Sequence, residues 1–278
     1  SDLKYATYDG NTWNISIVDS VGSVGLYSSM AIDSYDNLHI CYHDMINTAL
    51  KYATYDGSTW TNSTVDNTGS VGYYASIAVD SNDDLHISHY DNINQDLMYT
   101  TYDGSSWTTS TVDSTWSVGW FSSIAIDSND DIHISYWDDT FDDLKYATYD
   151  GSSWITSTVD DTGNVDNART SIKIDSNDDI SILYQANSEL NIVMQIDGSW
   201  SSPQSIDVPK GGIINVGIAI SSDLDSNDKL RISYKGNSAS KSGNGLYHIQ
   251  MLSDLRIDSL SPNSAEVGNE TNVTITGA

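Results

Sequence analysis

The sequence predicts an all-β fold of repeated four-stranded antiparallel sheets, and three observations carry that prediction. The first is repetition: Asp-Gly pairs begin at Asp9, Asp56, Asp103, Asp150 and Asp197, 47 residues apart, and a tryptophan follows each at Trp13, Trp60, Trp107, Trp154 and Trp200. The second is the absence of any sustained helical period; short β-branched and aromatic runs alternate with Asp, Asn and Gly clusters. The third is the kind of acid used. Almost every acidic residue is Asp, with Glu only at Glu189, Glu266 and Glu270. Asp suits turns, where its short side chain bonds its own backbone, whereas Glu suits helices. Four strands at a period near 47 residues is the signature of a β-propeller blade.

The unit at 123–159 shows the elements in order. "SIAID" is the first strand, small-sided at Ala125 as at Ala31 and Ala78, which suits a position near a propeller axis. "SNDD" is its turn and "IHISYW" the second strand. "DDTFDD" is a loop and "LKYATY" the third strand. "DGSS" is a tight hairpin whose Asp-Gly pair tolerates positive φ. "WITSTV" is the fourth strand. Both faces of a blade are packed, so apolar and polar residues alternate only weakly along each strand.

Five first-strand segments predict five blades, or six if upstream sequence is missing. The chain opens on a third and a fourth strand, which would complete the blade begun at 214–237, but a spare strand at 246–252 competes for that place. Opening within a repeat is expected of a processed chain or a fragment. The propeller is assigned to residues 1–252. Residues 253–278, "SDLRIDSLSPNSAEVGNETNVTITGA", leave the repeat.

Composition narrows the function classes. The net charge of −28 on 278 residues repels phosphate backbones and anionic lipid, so no nucleic-acid partner is expected. No apolar run is long enough to span a bilayer, so no direct membrane insertion is expected. The single cysteine, Cys41, stands where other copies hold Ser88 and Ser135 and reads as a small buried thiol.

"TYDGSTW" and "TYDGSSW" resemble the Asp-box hairpin of sialidase-like propellers, shortened by one residue between Asp and Gly. The longer unit "HISYWDD…LKYATYDGSSW" resembles blades of fucose-binding and tachylectin-type propeller lectins. The tail at 256–278 resembles the opening strands of an IPT/TIG immunoglobulin-like domain. These resemblances imply a propeller in a modular protein, an extracellular or cell-surface location, and a structural role for the Asp-box-like hairpin.

No catalytic residue is assigned. The sialidase resemblance would imply three convergent arginines, yet the chain holds only Arg169, Arg231 and Arg256, the last of them in the tail. Residues that repeat in every blade are better explained by folding than by one active centre, and this covers His39, His86 and His133. Calcium is the one cofactor left open. Its weak candidates are Asp127, Asn129 and Asp131 in a "DSNDD" turn, with Asp138 and Asp142 in the following loop; the competing reading of "DSNDD" is an Asx-type turn.

The ligand candidates lie where the copies disagree. "SVGLYSS", "SVGYYAS" and "SVGWFSS" enter the first strands and present Tyr27, Tyr73, Tyr74, Trp120 and Phe121, with Leu26 at the odd position. The loops after the second strands contribute His43 and Asp44, Tyr90 and Asp91, and Trp137 and Asp138. Aromatic faces beside carboxylates suit sugar C–H faces and hydroxyls; the same aromatics could equally fill gaps between blades. The expected function is a non-catalytic module that binds a glycan or an extracellular matrix protein. A structural or adhesive repeat module is the alternative, and an unusual carbohydrate-active enzyme the third reading.

Overall fold

A computed structural model of the chain describes residues 1–162, 165, 169–207, 220–237, 244–250 and 272–274. Among the described residues every regular element is a β-strand. The chain divides into two compact units, residues 1–140 with 146–157 and residues 141–145 with 158–278.

The sheets repeat the sequence unit. β1 (Leu3–Tyr8) and β2 (Trp13–Asp19) form a two-stranded sheet. The next sheet is β3 (Val24–Ile32), β4 (Leu38–Asp44), β5 (Ala49–Tyr55) and β6 (Trp60–Asp66), hydrogen-bonded in chain order. β7 (Tyr73–Val79), β8 (Leu85–Asp91), β9 (Asp96–Tyr102) and β10 (Trp107–Asp113) repeat it, as do β11 (Val118–Ile126), β12 (Ile132–Asp138), β13 (Asp143–Tyr149) and β14 (Trp154–Asp160). A fifth sheet holds β15 (Ser171–Ile174), β16 (Ile180–Ala186), β17 (Glu189–Ile196) and β18 (Ser199–Trp200), with β19 (Gln204–Asp207) also on β17. The sixth holds β20 (Ile220–Leu224), β21 (Leu230–Asn237), β22 (Asn244–Gln250) and β23 (Asn272–Thr274).

The competition over the spare strand is thereby decided. β22 pairs antiparallel with β21 and is the third strand of its own sheet, while among the described residues β1 pairs with β2. The expectation that β1 and β2 complete the sheet begun by β20 is not what is found, because the intrachain register from Arg231 to Asn237 is filled by Asn244 to Gln250. Most of the IPT/TIG-like tail lies outside the described residues. The part described, β23, adds parallel to β22.

Second strands are the core. Every residue of β4, β8 and β12 is buried, as expected for a strand flanked on both edges and covered on both faces. In the first unit the apolar clusters run from sheet to sheet: Cys41, Leu50 and Tyr52 pack with Ala75, Ile77 and Ile87, and Leu97 and Tyr99 with Ile124 and Ile134. In the second, Leu183, Leu190 and Ile192 pack with Leu230, Ile232 and Tyr234.

The repeated polar residues hold this stack. At the first four Asp-Gly corners the aspartate accepts backbone N–H bonds from the residues two and three ahead, as Asp103 does from Ser105 and Ser106. The tryptophan after the corner packs edge-on against a tyrosine of the preceding sheet: Tyr5–Trp60, Tyr52–Trp107 and Tyr99–Trp154, with centroids 5.4, 5.2 and 5.1 Å apart. The aspartate and tryptophan of these hairpins are thus engaged in contacts that hold turn and sheets together.

Candidate functional site

Three glycines set up the candidate site. Gly25, Gly72 and Gly119, of "SVG", have φ of 91°, 85° and 99°. A Cβ on Gly72 would lie 2.7 Å from the Leu50 Cα, and one on Gly119 2.6 Å from the Leu97 Cα, so each glycine lets two sheets touch. Two residues later the chain is left-handed again, now at a ring: Tyr27 at φ 53°, Tyr74 at 54° and Phe121 at 52°. The ladder to the second strand slips here, between Leu26 and Ser29, Tyr73 and Ser76, and Trp120 and Ser123. Each is a β-bulge inside the first strand, so these residues belong to strands and not to the free loops the sequence predicts. A bulky residue in this conformation costs on the order of 1–3 kcal/mol, a strain that gathers at functional sites.

The bulges arrange the rings in two tiers. Tyr27, Tyr74 and Phe121 pack on one another across sheets at tilted angles, with centroids 4.5 Å apart for the first pair and 4.2 Å for the second. Tyr73 and Trp120 instead cover the buried ring of the preceding sheet, Tyr73 at 4.2 Å from His43 and Trp120 at 4.8 Å from Tyr90. Trp137 lies 6.3 Å from Phe121 in a stacked arrangement. Tyr27, Tyr73, Tyr74, Trp120 and Phe121 are half-buried, while His43, Tyr90 and Trp137 lie beneath them, buried. The eight rings form one continuous patch within the first unit.

Serines that the sequence reading passed over fix the upper tier. Ser117 Oγ accepts from Trp120 Nε1 at 3.0 Å, and Ser70 Oγ donates to Tyr73 Oη at 3.2 Å. Their signal was legible, because Ser-Val-Gly precedes the aromatic pair in three copies. One donor beneath the patch is unmatched: the buried Trp137 Nε1–H has no hydrogen-bond partner among the described residues. Burial lowers the pKa of His43, and Val71 O lies 3.0 Å from its Nδ1, so the ring is neutral at pH 7.

The carboxylates expected beside the rings face elsewhere. Asp44, Asp91 and Asp138 are buried and cap their own loops. Asp44 accepts from Ile46 N, Asn47 N and Asn47 Nδ2, and Asp91 from Ile93 N, Asn94 N and Asn94 Nδ2. Asp138 accepts from Thr140 N. Burial alone would raise the Asp44 pKa, but the Asn47 and Ile46 donors hold it below the ordinary value. These three aspartates shape the loops, and the carboxylate that adjoins the patch is Asp139, whose Oδ2 lies 3.4 Å from Ser117 Oγ.

The calcium candidates divide between the two ends of β12, a seven-residue strand that spans on the order of 20 Å. At one end Asp127 accepts from Asn129 N and Asp131 N in an Asx-type turn and lies 3.4 Å from His133 Nε2. At the other lie Asp138 and Asp142. Among the described residues no three His, Cys, Asp or Glu side chains are gathered to hold an ion.

The repeated histidines connect second and third strands. His39, His86 and His133 each meet a tyrosine hydroxyl through Nδ1, from Tyr52, Tyr99 and Tyr146. Arg231 takes the equivalent place in the sixth sheet and bonds Asp225, so it is not free to hold a substrate carboxylate. The Cys41 thiol is buried, and its pKa is pushed up to about 12, which excludes a thiolate.

The fold is a β-propeller of four-stranded antiparallel blades. A mutant of the Aleuria aurantia lectin, solved with α-methyl-L-fucoside, superposes over 88% of this chain and 81% of its own with a TM-score of 0.60 and 16% identity. Trypanosoma rangeli sialidase superposes over 86% of this chain and 47% of its own, with a TM-score of 0.57 and 15% identity. A Hadza microbial sialidase superposes over 80% and 57%, with a TM-score of 0.55 and 10% identity. The chain thus spans about half the length of the two sialidases. No protein-family model matches the sequence, and no curated protein matches it.

Proposed function

We propose that the protein is a non-catalytic glycan-binding propeller of the extracellular space or cell surface, and that the two-tiered aromatic patch is its contact surface. The observation that carries this reading is the strain: three successive sheets hold Tyr27, Tyr74 and Phe121 left-handed where glycine would be cheaper, and in each case the ring lies on the patch. Half-buried aromatic faces with one unmatched indole donor below are the chemistry that packs a sugar's C–H face. The lectin and sialidase neighbours support carbohydrate as the ligand class. Binding without turnover is favoured by the engagement of the carboxylates that end the second strands, Asp44, Asp91 and Asp138, in their own loops.

Glycine substitution tests the proposal cleanly, because glycine accepts positive φ. Phe121→Gly and Tyr74→Gly should retain the fold and its thermal midpoint and lose binding on a glycan array by about tenfold or more. Trp120→Ala should lose binding too. Unchanged array profiles in all three variants would place the contact surface elsewhere, and turnover of a glycoside by the unmodified protein would overturn the non-catalytic reading.

A further inference from the structure

The sheet of β7 to β10 departs from its neighbours at one coordinated place. In the sheet before it, Tyr42 of β4 and Lys51 of β5 are register partners. Both reach Asp19, at the end of the preceding outer strand: the Tyr42 hydroxyl donates to Asp19 Oδ2 at 2.8 Å, and Lys51 Nζ forms an ion pair with the same oxygen. Tyr136 and Tyr184 repeat the hydroxyl contact on Asp113 and Asp160. In β8 and β9 the register partners at this place are His89 and Met98, and the aspartate is Asp66. A phenol and an ammonium, both donors, are exchanged for an imidazole and a thioether, both able to ligate a metal, in front of the same carboxylate.

The surroundings changed with the exchange. Asp66 Oδ1 keeps the turn contacts of its counterparts, accepting from Thr68 N at 2.8 Å and Thr68 Oγ1 at 2.7 Å, but Asp66 Oδ2 meets no donor among the described residues. Asp66 is half-buried, whereas Asp19, Asp113 and Asp160 are 3%, 5% and 3% exposed, which leaves a route to it from solvent. His89 is fully buried, its Nδ1 meets no hydrogen-bond partner among the described residues, and Asp66 is the strongest of the charges acting on its ring.

Length and tautomer suit an ion. Met98 Sδ stands at the level of Lys51 Cδ, two bonds short of the ammonium, and imidazole is shorter than phenol. Each replacement therefore stops short of the carboxylate, by about the 2.0–2.3 Å of a bond from nitrogen or sulfur to a metal. Thr111 Oγ1 lies 3.6 Å from Met98 Sδ, a weak contact that leaves sulfur a second lone pair. His89 Nε2 lies 2.9 Å from Thr100 Oγ1, which lies 2.9 Å from Thr109 Oγ1. Donation from Nε2–H to Thr100, and from Thr100 to Thr109, leaves the lone pair on Nδ1, the arrangement a ligating histidine has. Thr100 stands where other sheets have Ala53, Ala147 and Val193, so this support is present only beside the histidine.

We propose that Asp66, His89 and Met98 bind one copper(I) ion through Oδ2, Nδ1 and Sδ. Thioether and imidazole together favour soft copper(I) over the hard cations calcium and magnesium, and the carboxylate balances its charge. The inference is independent of the glycan reading, because none of the three side chains belongs to the aromatic patch.

The test titrates the whole chain with copper(I), without oxygen and in ascorbate, against a chromophoric chelator. One equivalent should bind, the thermal midpoint should rise, and X-ray absorption should show nitrogen and sulfur bonded to copper. Met98→Leu, which keeps the side chain's volume, should fold, bind about tenfold or more weakly and lose the sulfur signal. The double variant His89→Tyr/Thr100→Ala, built from residues of the other sheets, should bind no copper. No binding by the unmodified chain, or unchanged affinity in Met98→Leu, would overturn the proposal. So would a sulfur signal that persists in Met98→Leu, which would assign the copper to another thioether or thiol, and so would equal affinity for zinc.

Discussion

At the scale of the residue, a single substitution between copies can reverse a local rule. Tyr42, Tyr136 and Tyr184 are buried, and each donates its hydroxyl to an aspartate, Asp19, Asp113 and Asp160, at 2.8, 2.7 and 2.6 Å. In the sheet of β7 to β10 the place is taken by His89, whose Nε2 meets Thr100 Oγ1 at 2.9 Å while its buried Nδ1 meets no hydrogen-bond partner among the described residues. Burial lowers the His89 pKa to about 4, against the pull of Asp66 and Asp91. An unfolded histidine binds a proton near 6.5, so the stability that neutral His89 contributes is full above that pH. It is lost as pH falls from about 6.5 to about 4, by about 3 kcal/mol. His86, lowered in the same direction by burial, adds to the loss. Urea midpoints at pH 7 and 4.5 should differ accordingly, and the double variant His89→Tyr/Thr100→Ala, which restores the arrangement of the other copies, should flatten the difference. A midpoint unchanged across this range in the unmodified protein would contradict the assignment. Gly119→Ala makes a second test at this scale. The added Cβ meets backbone at 2.6 Å with φ at 99°, so more than about 1 kcal/mol of stability should be lost in the same titration.

At the scale of the element, the tryptophan-led outer strand binds one sheet to the next. Trp107 packs on Tyr102 of its own hairpin and Tyr52 of the preceding sheet, with centroids 4.8 and 5.2 Å away. Trp13 heads the same kind of strand, but among the described residues its one ring contact is with its own Tyr8, and it is 68% exposed. Identical motifs therefore differ in what they stabilise. Trp107→Ala should cost about 2 kcal/mol or more, as loss of a large packed ring does, and Trp13→Ala should change stability by no more than about 0.5 kcal/mol. Equal effects in thermal melts would show that the ladder between sheets carries no energy.

At the scale of the whole molecule, charge dominates. A net charge of −28 is self-repulsive, and salt screens it, so the thermal midpoint should rise with sodium chloride. Asp127, Asn129 and Asp131 engage one another in a turn at one end of β12, and Asp138 caps a loop at the other. Calcium should consequently raise the midpoint no more than magnesium at equal ionic strength. A saturable gain specific to calcium would assign a structural ion.

The sequence by itself determined the repeat, the strand count per unit, the turn at each Asp-Gly pair and the structural use of the repeated Asp, His and Trp. Such features are local or periodic: an aspartate bonds the backbone two and three residues ahead wherever the chain places it. The aromatic residues of the candidate site were legible as well, from the disagreement among copies. Three things were decided only in three dimensions. The left-handed bulges at Tyr27, Tyr74 and Phe121 depend on glycines pressed against a neighbouring sheet, a contact 22 residues away in sequence for Gly25 and Gly72 alike. The turning of Asp44, Asp91 and Asp138 into their loops depends on where donors such as Asn47 and Asn94 come to lie. The placing of β22 beside β21 depends on the register that Asn244 to Gln250 finds along Arg231 to Asn237. Repetition specifies what kind of neighbour each strand accepts, and only the packed chain selects which copy becomes that neighbour.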